Sequence, residues 1–429
     1  MNRYPYLIIG NSAAAMGAIE GIRERDSASE ITVVSREPHH TYSRPLISYL
    51  LAGKVDEARM PYRPAGYYED NRVRAMLGVT ATHVDVRERA VEISDGSTIP
   101  FEKLLVATGG NPIVPRDVEG GNAEGIFTFT TWDDVRRMQQ FVEQNDVASA
   151  LVVGGGLIGL KSVEALSALG IRATVVELAD RLMSVTFDQT ASDLARRALD
   201  EAGIAVRCGT TVTRIEQADG EVAGAEIREG TKVECQMVVF AIGVSPATEI
   251  VRGTEIETER GILVDDCMQT NIEGIYAAGD VAQAVDLLTG EKRAIAILPN
   301  AYRQGSVAGC NMAGGQRSYE GGLSMNAVDI CGLPTISVGV TVPEGDGYEV
   351  LSVLDREQPM YRKVVLRNDR IVGAVFVGEI DRAGIVTGLI RDKVDVSSFK
   401  GVLLSDDFGL ISLPAEYRKH VVSGAGIEV

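Results

Sequence analysis

The sequence predicts an α/β protein in which two strand-turn-helix-strand units are followed by a smaller α+β portion. Three observations predict it. Near the start, YLIIGNSAAAMGAIEGIRERDSASEITVVSRE reads as an apolar strand, a tight turn, a helix of small residues and a second apolar strand. From Ser149 to Arg181, SALVVGGGLIGLKSVEALSALGIRATVVELADR repeats that order, and from Tyr361 to Gly378 the chain alternates like two antiparallel strands joined at Arg367 to Arg370.

At 429 residues the chain is too long for one compact core. Its 45% hydrophobic and 24% charged residues are those of an ordinary globular protein. A formal charge of -18 repels phosphates, which argues against a nucleic-acid or anionic-membrane partner. No apolar run approaches the roughly 18 residues that span a bilayer, and the first strand begins without a leader-like segment, so a cytoplasmic protein with no membrane insertion is expected. Cys208, Cys235, Cys267, Cys310 and Cys331 form no CxxC pair and read as buried thiols. His39, His40, His83 and His420 show no HxxxH or HExxH spacing, and no protein metal site is expected.

Taken in order, the first turn carries Gly10, Ser12 and Ala15 where a dinucleotide fold has three glycines. Such a turn sets a helix N-terminus against a pyrophosphate, whose charge is met by free backbone N–H groups. Ser12 places a side chain where the backbone must approach, although its hydroxyl can donate a hydrogen bond. Ser35 stands where an acidic ribose ligand is expected, and Glu37 is the nearest carboxylate; Glu37 is either that ligand or a surface-loop residue. The LLVATGGNPIVP segment runs a strand into a small-residue turn at Ala107, Thr108 and Gly109. The second unit is complete: Gly154, Gly156 and Gly159 form GxGxxG, with Leu157 and Ile158 opening the helix, between a strand and a helix as the motif requires. Glu177 ends the next strand, placed to accept from ribose hydroxyls and to repel a 2′-phosphate, so NADH is favoured over NADPH. Gly243 in AIGVSP is a further candidate, as are Gly279 and Asp280 in GIYAAGDVAQA, and Pro299 and Asn300 at the start of the helix-like LPNAYRQGSVAGCNMAG.

The first unit, the ATGG turn, the GGGLIG unit and the YAAGDVA segment, in this order, resemble the pyridine nucleotide-disulfide oxidoreductase superfamily over essentially the whole chain. That resemblance implies two Rossmann-like domains: an FAD-binding one at 1–116 and 247–324, interrupted by an NAD-binding one at 117–246. It implies a C-terminal interface domain at 325–429, commonly a dimer or partner surface, and Asp280 on the ribityl chain of FAD. Members that reduce disulfides carry a reactive cysteine on the helix near TYSRPLISYLL, where this chain has none before Cys208. YSRPLISYLLAGK instead resembles rubredoxin reductases and the flavin portion of nitrite reductases, in which electrons pass to a protein iron centre. By that resemblance Arg44 and Pro45 lie against the cofactor; the plain alternative is a turn residue and a helix N1 proline.

The implied reaction is hydride exchange between NAD(H) and FAD, with the reacting atoms held about 3 to 3.5 Å apart. Lys161 replaces a glutamate frequent in the superfamily, and either assists hydride movement, attracts an acidic partner residue, or snorkels to solvent, the reading preferred from sequence. The chain holds no cluster ligands, so an iron-sulfur centre would lie on a partner, as in a larger redox complex such as an NAD-dependent 2-oxoacid (phenylglyoxylate) dehydrogenase. A free-standing rubredoxin or ferredoxin reductase, an NADH oxidase, and a non-catalytic NAD-binding subunit are the rivals. FKGVLLSDDFGLISLP reads as ordinary surface around Phe408, or as an interface loop.

Overall fold

The computed structural model describes residues 4–414 and Tyr417; His420 lies outside the described residues. Strand Tyr4–Ile9 runs parallel to Ile31–Ser35 on one side and to Thr98–Val106 on the other. Leu7 and Ile8 are fully buried, as a strand covered on both faces requires. Val73–Leu77 extends the sheet beyond Ile31–Ser35, while Ala90–Ile93 and Ala81–Asp85 continue it antiparallel from Thr98–Val106. Strand Ile275–Ala277, far downstream, returns to pair with Thr98–Val106.

The helices that cover this sheet cross at unusually short range. Helix Ala13–Arg23 meets helix Leu298–Met312 through Gly17 and Gly21 on one side and Gly305 and Gly309 on the other. A Cβ on Gly305 would lie 1.9 Å from the Ala14 carbonyl oxygen, and one on Gly17 would lie 2.1 Å from that of Tyr302. Backbone therefore packs on backbone, a spacing that no larger residue permits.

A second, wholly parallel sheet has the order Ala205–Cys208, Arg172–Glu177, Ser149–Val153, Met237–Phe240, Ile126–Thr128. Helix Trp132–Gln144 starts at a capping box in which the Thr131 hydroxyl accepts from the Asp134 N–H and the Asp134 carboxylate accepts from the Thr131 N–H. The short helix Ile47–Leu51 packs with the core of this second unit, since Tyr42, Ile47, Leu50 and Leu51 share its apolar cluster. Between the two sheets lies a two-stranded ribbon, Gly110–Pro112 paired with Val244–Pro246.

The last portion is a five-stranded antiparallel sheet with helix Ala383–Arg391 against it. Its hairpin joins Met360–Arg367 to Arg370–Val377 through Asn368 and Asp369, both with positive φ, as a tight hairpin turn demands. This sheet is bound to the second unit at Asp188, which caps helix Gln189–Glu201 through the Ala191 N–H and accepts from Lys363 at 2.7 Å and from the Tyr361 hydroxyl at 2.8 Å. Burial pushes the Asp188 carboxyl up, but these donors outweigh it and hold the group below the ordinary carboxylate range.

Two sequence expectations fail here. Phe408 is 1% exposed and belongs to the core of the last portion, because the two aspartates before it mark a turn that folds the ring inward. Of the five thiols only Cys235 and Cys310 are buried; Cys208, Cys267 and Cys331 are partly exposed, because they stand at a strand end or in turns. Among the described residues no helix is long and apolar enough to cross a membrane.

Gly305→Val should destabilise the protein by about 1–3 kcal/mol or more, since neither backbone can retreat. Gly384→Ala, on helix Ala383–Arg391 with open space around it, should be neutral or mildly stabilising. Equilibrium denaturation of both variants checks the contrast.

Candidate cofactor and hydride-exchange site

The two glycine turns are built alike. The N–H of Gly10 donates to the Val34 carbonyl and that of Gly154 to Val176, both at 2.8 Å. In return Ala107 donates to Ile9 and Ala241 to Val153, again at 2.8 Å. A Cβ on Gly10 would sit 2.0 Å from the Ala107 oxygen, and one on Gly154 would sit 2.4 Å from that of Ala241. Both glycines have φ near +115°, so shape and backbone angle each exclude a side chain. A Cβ on Gly159 would lie 1.9 Å from the Gly154 carbonyl oxygen, whereas Gly156 caps helix Leu157–Ala168 and faces open space. The second turn thus presents an unobstructed helix N-terminus, flanked by the partly exposed Leu157 and Ile158.

At the first turn Ser12 takes the N-cap with φ of -115°, a value open to any residue, and its hydroxyl makes no capping bond. Substitution of the second glycine therefore costs no backbone strain here. Ala15 is fully buried where the third glycine is expected. A small pocket beside the turn is lined by Asn11, Ser12, Ser35, Glu37, His39, Tyr42 and Arg44.

Glu37 is no surface-loop carboxylate: its side chain is 13% exposed, and its two oxygens accept from the Tyr42 hydroxyl and from Arg44, each at 2.5 Å. Arg44 also donates to the Thr130 carbonyl at 2.8 Å. Pro45 lies in the first turn of the short 3-10 segment Arg44–Leu46 and is exposed. Ser35 is buried at the end of its strand. Asp280 follows Gly279 just beyond strand Ile275–Ala277 and takes no hydrogen bond from the described residues. Burial pushes its carboxyl up, against a smaller downward pull from Arg44. The Gly279 N–H donates to Gln304 of helix Leu298–Met312 at 2.8 Å, which fixes the Asp280 turn to that helix. Pro299 occupies the first turn of the same helix, and the buried Asn300 donates its amide to the Leu323 carbonyl.

Thr108, Gly109 and Gly243 flank the ribbon that joins the sheets. The Thr108 hydroxyl donates to the Ala247 carbonyl at 2.8 Å, the Ala247 N–H to Gly109, and the Ile113 N–H to Gly243. Glu177 closes its strand with both carboxylate oxygens turned to the backbone: one accepts from the Gly155 N–H at 2.5 Å and the other from Ala179 at 2.7 Å. Each oxygen keeps a lone pair for a further donor.

Lys161 does not snorkel to solvent. It is 21% exposed, pairs with Glu164 one turn on, donates to the Asp329 carbonyl at 3.0 Å and lies over the Tyr49 ring. Glu164 in turn accepts from the Cys331 N–H. The pair fastens helix Leu157–Ala168 to the turn between strands Met325–Ile330 and Leu333–Gly339. Sequence reasoning missed Glu164, Asn11, Tyr42 and Trp132: the first three stand within quoted segments at positions no motif specifies, and Trp132 stands outside them.

Residues 4–305 match the family described as pyridine nucleotide-disulphide oxidoreductase. The chain belongs to that family. It is an FAD-dependent NAD(H) oxidoreductase, and all five of its cysteines are free. Residues 325–394 match the rubredoxin NAD+ reductase C-terminal domain. The chain is 36% identical, over 92% of its length and 93% of the relative's, to the epsilon subunit of NADH-dependent phenylglyoxylate dehydrogenase from Aromatoleum evansii. It is 31% identical over 92% of its length to a nitrite reductase [NAD(P)H] from Bacillus subtilis, of which it covers 48%. A ferredoxin reductase from Rhodopseudomonas palustris superposes with a TM-score of 0.82 at 25% identity, covering 90% of this chain and 95% of that one.

The groups this family binds fit what the turns leave open. Asp280 and the Ser12 hydroxyl are polar groups beside the first turn with no hydrogen-bond partner among the described residues, and Gly156 leaves a clear approach at the second. Lys161→Met, which keeps the stem and removes the charge, should raise amide hydrogen exchange in residues 329–333 while the rate of flavin reduction by NADH stays within about twofold. A large loss of that rate would return Lys161 to the reaction itself.

Proposed function

We propose that this chain exchanges a hydride between NAD(H) and FAD and passes electrons between the flavin and an iron-sulfur protein, as the flavin subunit of a larger redox complex. The observation that carries this reading is the absence of any cysteine before Cys208 in a chain whose two glycine turns share one backbone geometry. Without a thiol beside the flavin there is no disulfide relay, so electrons leave for an external acceptor. The full-length likeness to a dehydrogenase subunit supports a complex, and the likeness to a ferredoxin reductase supports an iron-sulfur partner.

On this reading residues 1–116 and 247–324 hold FAD, 117–246 hold NAD(H), and 325–429 form an interface domain. The return of strand Ile275–Ala277 to the first sheet and the ribbon crossing support that division. FAD, when bound, takes up a hydride and gives out electrons singly. The chain's own residues bind and align. Gly10 and Gly156 let backbone N–H groups reach the two pyrophosphates, Glu37 and Glu177 accept from the two adenosine riboses, and Asp280 accepts from the ribityl hydroxyls. The positive end of helix Leu298–Met312, near Pro299, favours negative charge on the flavin. Arg44 neutralises Glu37 and adds positive charge near Asp280.

A free-standing reductase of rubredoxin is the second reading, favoured by the match of residues 325–394. The FAD-loaded chain should oxidise NADH at least tenfold faster with a one-electron dye under argon than with oxygen. Rapid oxygen turnover would overturn the electron-transfer reading in favour of an oxidase. Equally fast reduction of purified rubredoxin by the isolated chain would select the free-standing enzyme over the complex subunit.

A further inference from the structure

We infer that the Tyr42 hydroxyl is a positioning group that ties the flavin-side carboxylate Glu37 to the start of helix Trp132–Gln144, so that flavin occupancy is transmitted to NAD(H) affinity. The inference rests on the reading above that Glu37 faces the FAD ribose. Its basis is a pair of short bridges between the two units. Tyr42 is 7% exposed; its hydroxyl donates to Glu37 at 2.5 Å and accepts the Trp132 N–H at 3.1 Å. Arg44 makes the second bridge, donating to Glu37 at 2.5 Å and to the Thr130 carbonyl at 2.8 Å. The two bridges land on either side of Thr131, the residue that caps the helix.

In the Tyr42 bridge both bonds point the same way. The Trp132 N–H donates to Tyr42, and Tyr42 donates to the carboxylate, so each bond polarises the next. The bridge is also held sideways: the Tyr42 ring meets the Trp132 indole edge-on at 5.5 Å, and His39 stacks on that indole at 4.6 Å while pairing with Asp133 at 2.7 Å. At the other end the Tyr68 hydroxyl holds the Thr41 N–H at 3.0 Å and donates to Asn11 in the first glycine turn at 2.8 Å. A carboxylate has about four acceptor positions, so Glu37 can take ribose hydroxyls with Tyr42 and Arg44 still in place. A ligand that orders Glu37 therefore orders residues 130–132, the entrance to the unit that carries GGGLIG. By linkage the effect is reciprocal: flavin must alter NAD affinity by the factor with which NAD alters flavin affinity.

NAD+ does not reduce the oxidised protein and is the probe. Its dissociation constant is measured for the flavin-free and FAD-loaded chain, in the wild type, Tyr42→Phe and Glu37→Gln, with FAD affinity measured alongside. In the wild type, FAD loading should change the NAD+ constant at least about fivefold and slow amide exchange across residues 130–135. Both effects should fall by at least half in Tyr42→Phe, which keeps the buried ring and leaves only the Arg44 bridge, and in Glu37→Gln, which removes the charge that both bridges meet and keeps the packing around Tyr42. A purely structural Tyr42 would lower stability and leave the ratio of the two constants unchanged, and that result overturns the inference. A wild-type ratio of one with FAD bound overturns it as well. Failure of the wild type to bind FAD would instead remove the flavin reading, and the inference with it.

Discussion

The glycine-on-glycine crossing of helices Ala13–Arg23 and Leu298–Met312 is the contact on which the first site depends. The two helices lie far apart in the chain, and their close approach, with the pairing of strand Ile275–Ala277 to Thr98–Val106, brings the Gly279–Asp280 turn beside the Gly10 turn. Gly279 packs its Cα near Ala14 of one helix while its N–H is held by Gln304 of the other. A wider crossing would draw the start of helix Leu298–Met312, and the Gly279 turn that Gln304 holds, away from the Gly10 turn. The cost of the arrangement is four conformationally loose residues in two helices, about 1 kcal/mol each relative to alanine. Burial of both helices against the sheet offsets it.

A second constraint acts between the units. The segment 41–60 leaves the first sheet, yet Tyr42, Ile47, Leu50, Leu51 and Met60 are packed in the core of the second unit. Polar contacts follow the same path: Gln139 donates to the Leu50 carbonyl, and Arg136 pairs with Glu57. In family members with a reactive thiol this stretch would carry the chemistry. Here it is a strut between the two units, with Tyr42 and Arg44 each bonded to Glu37 of the first and to the start of helix Trp132–Gln144 of the second.

The last sheet is tied to the second unit rather than left as an appendage. Asp188 gathers Lys363 and Tyr361, while Lys161 and Glu164 grip the turn at Asp329 and Cys331. Strand Glu349–Asp355, at the far edge of that sheet, remains largely exposed on both faces.

Local chemistry determined much of this protein from sequence alone. Gly10, Gly154 and Gly159 were legible because no other residue fits their backbone angles or contacts, and Glu177 because a strand end fixes the direction of its side chain. The order of the four motifs carried the family and its cofactors. Tertiary structure decided the rest, for reasons no short window contains. Lys161 looked like a solvent residue until Glu164 and a carbonyl from 168 residues downstream came within reach. Glu37 was open between ribose ligand and loop residue until Tyr42 and Arg44 closed on it. Phe408 looked exposed beside two aspartates until the last core folded over it. Each outcome is set by partners distant in sequence, and burial, which decides whether a charge is paired or solvated, exists only once the chain has brought them together.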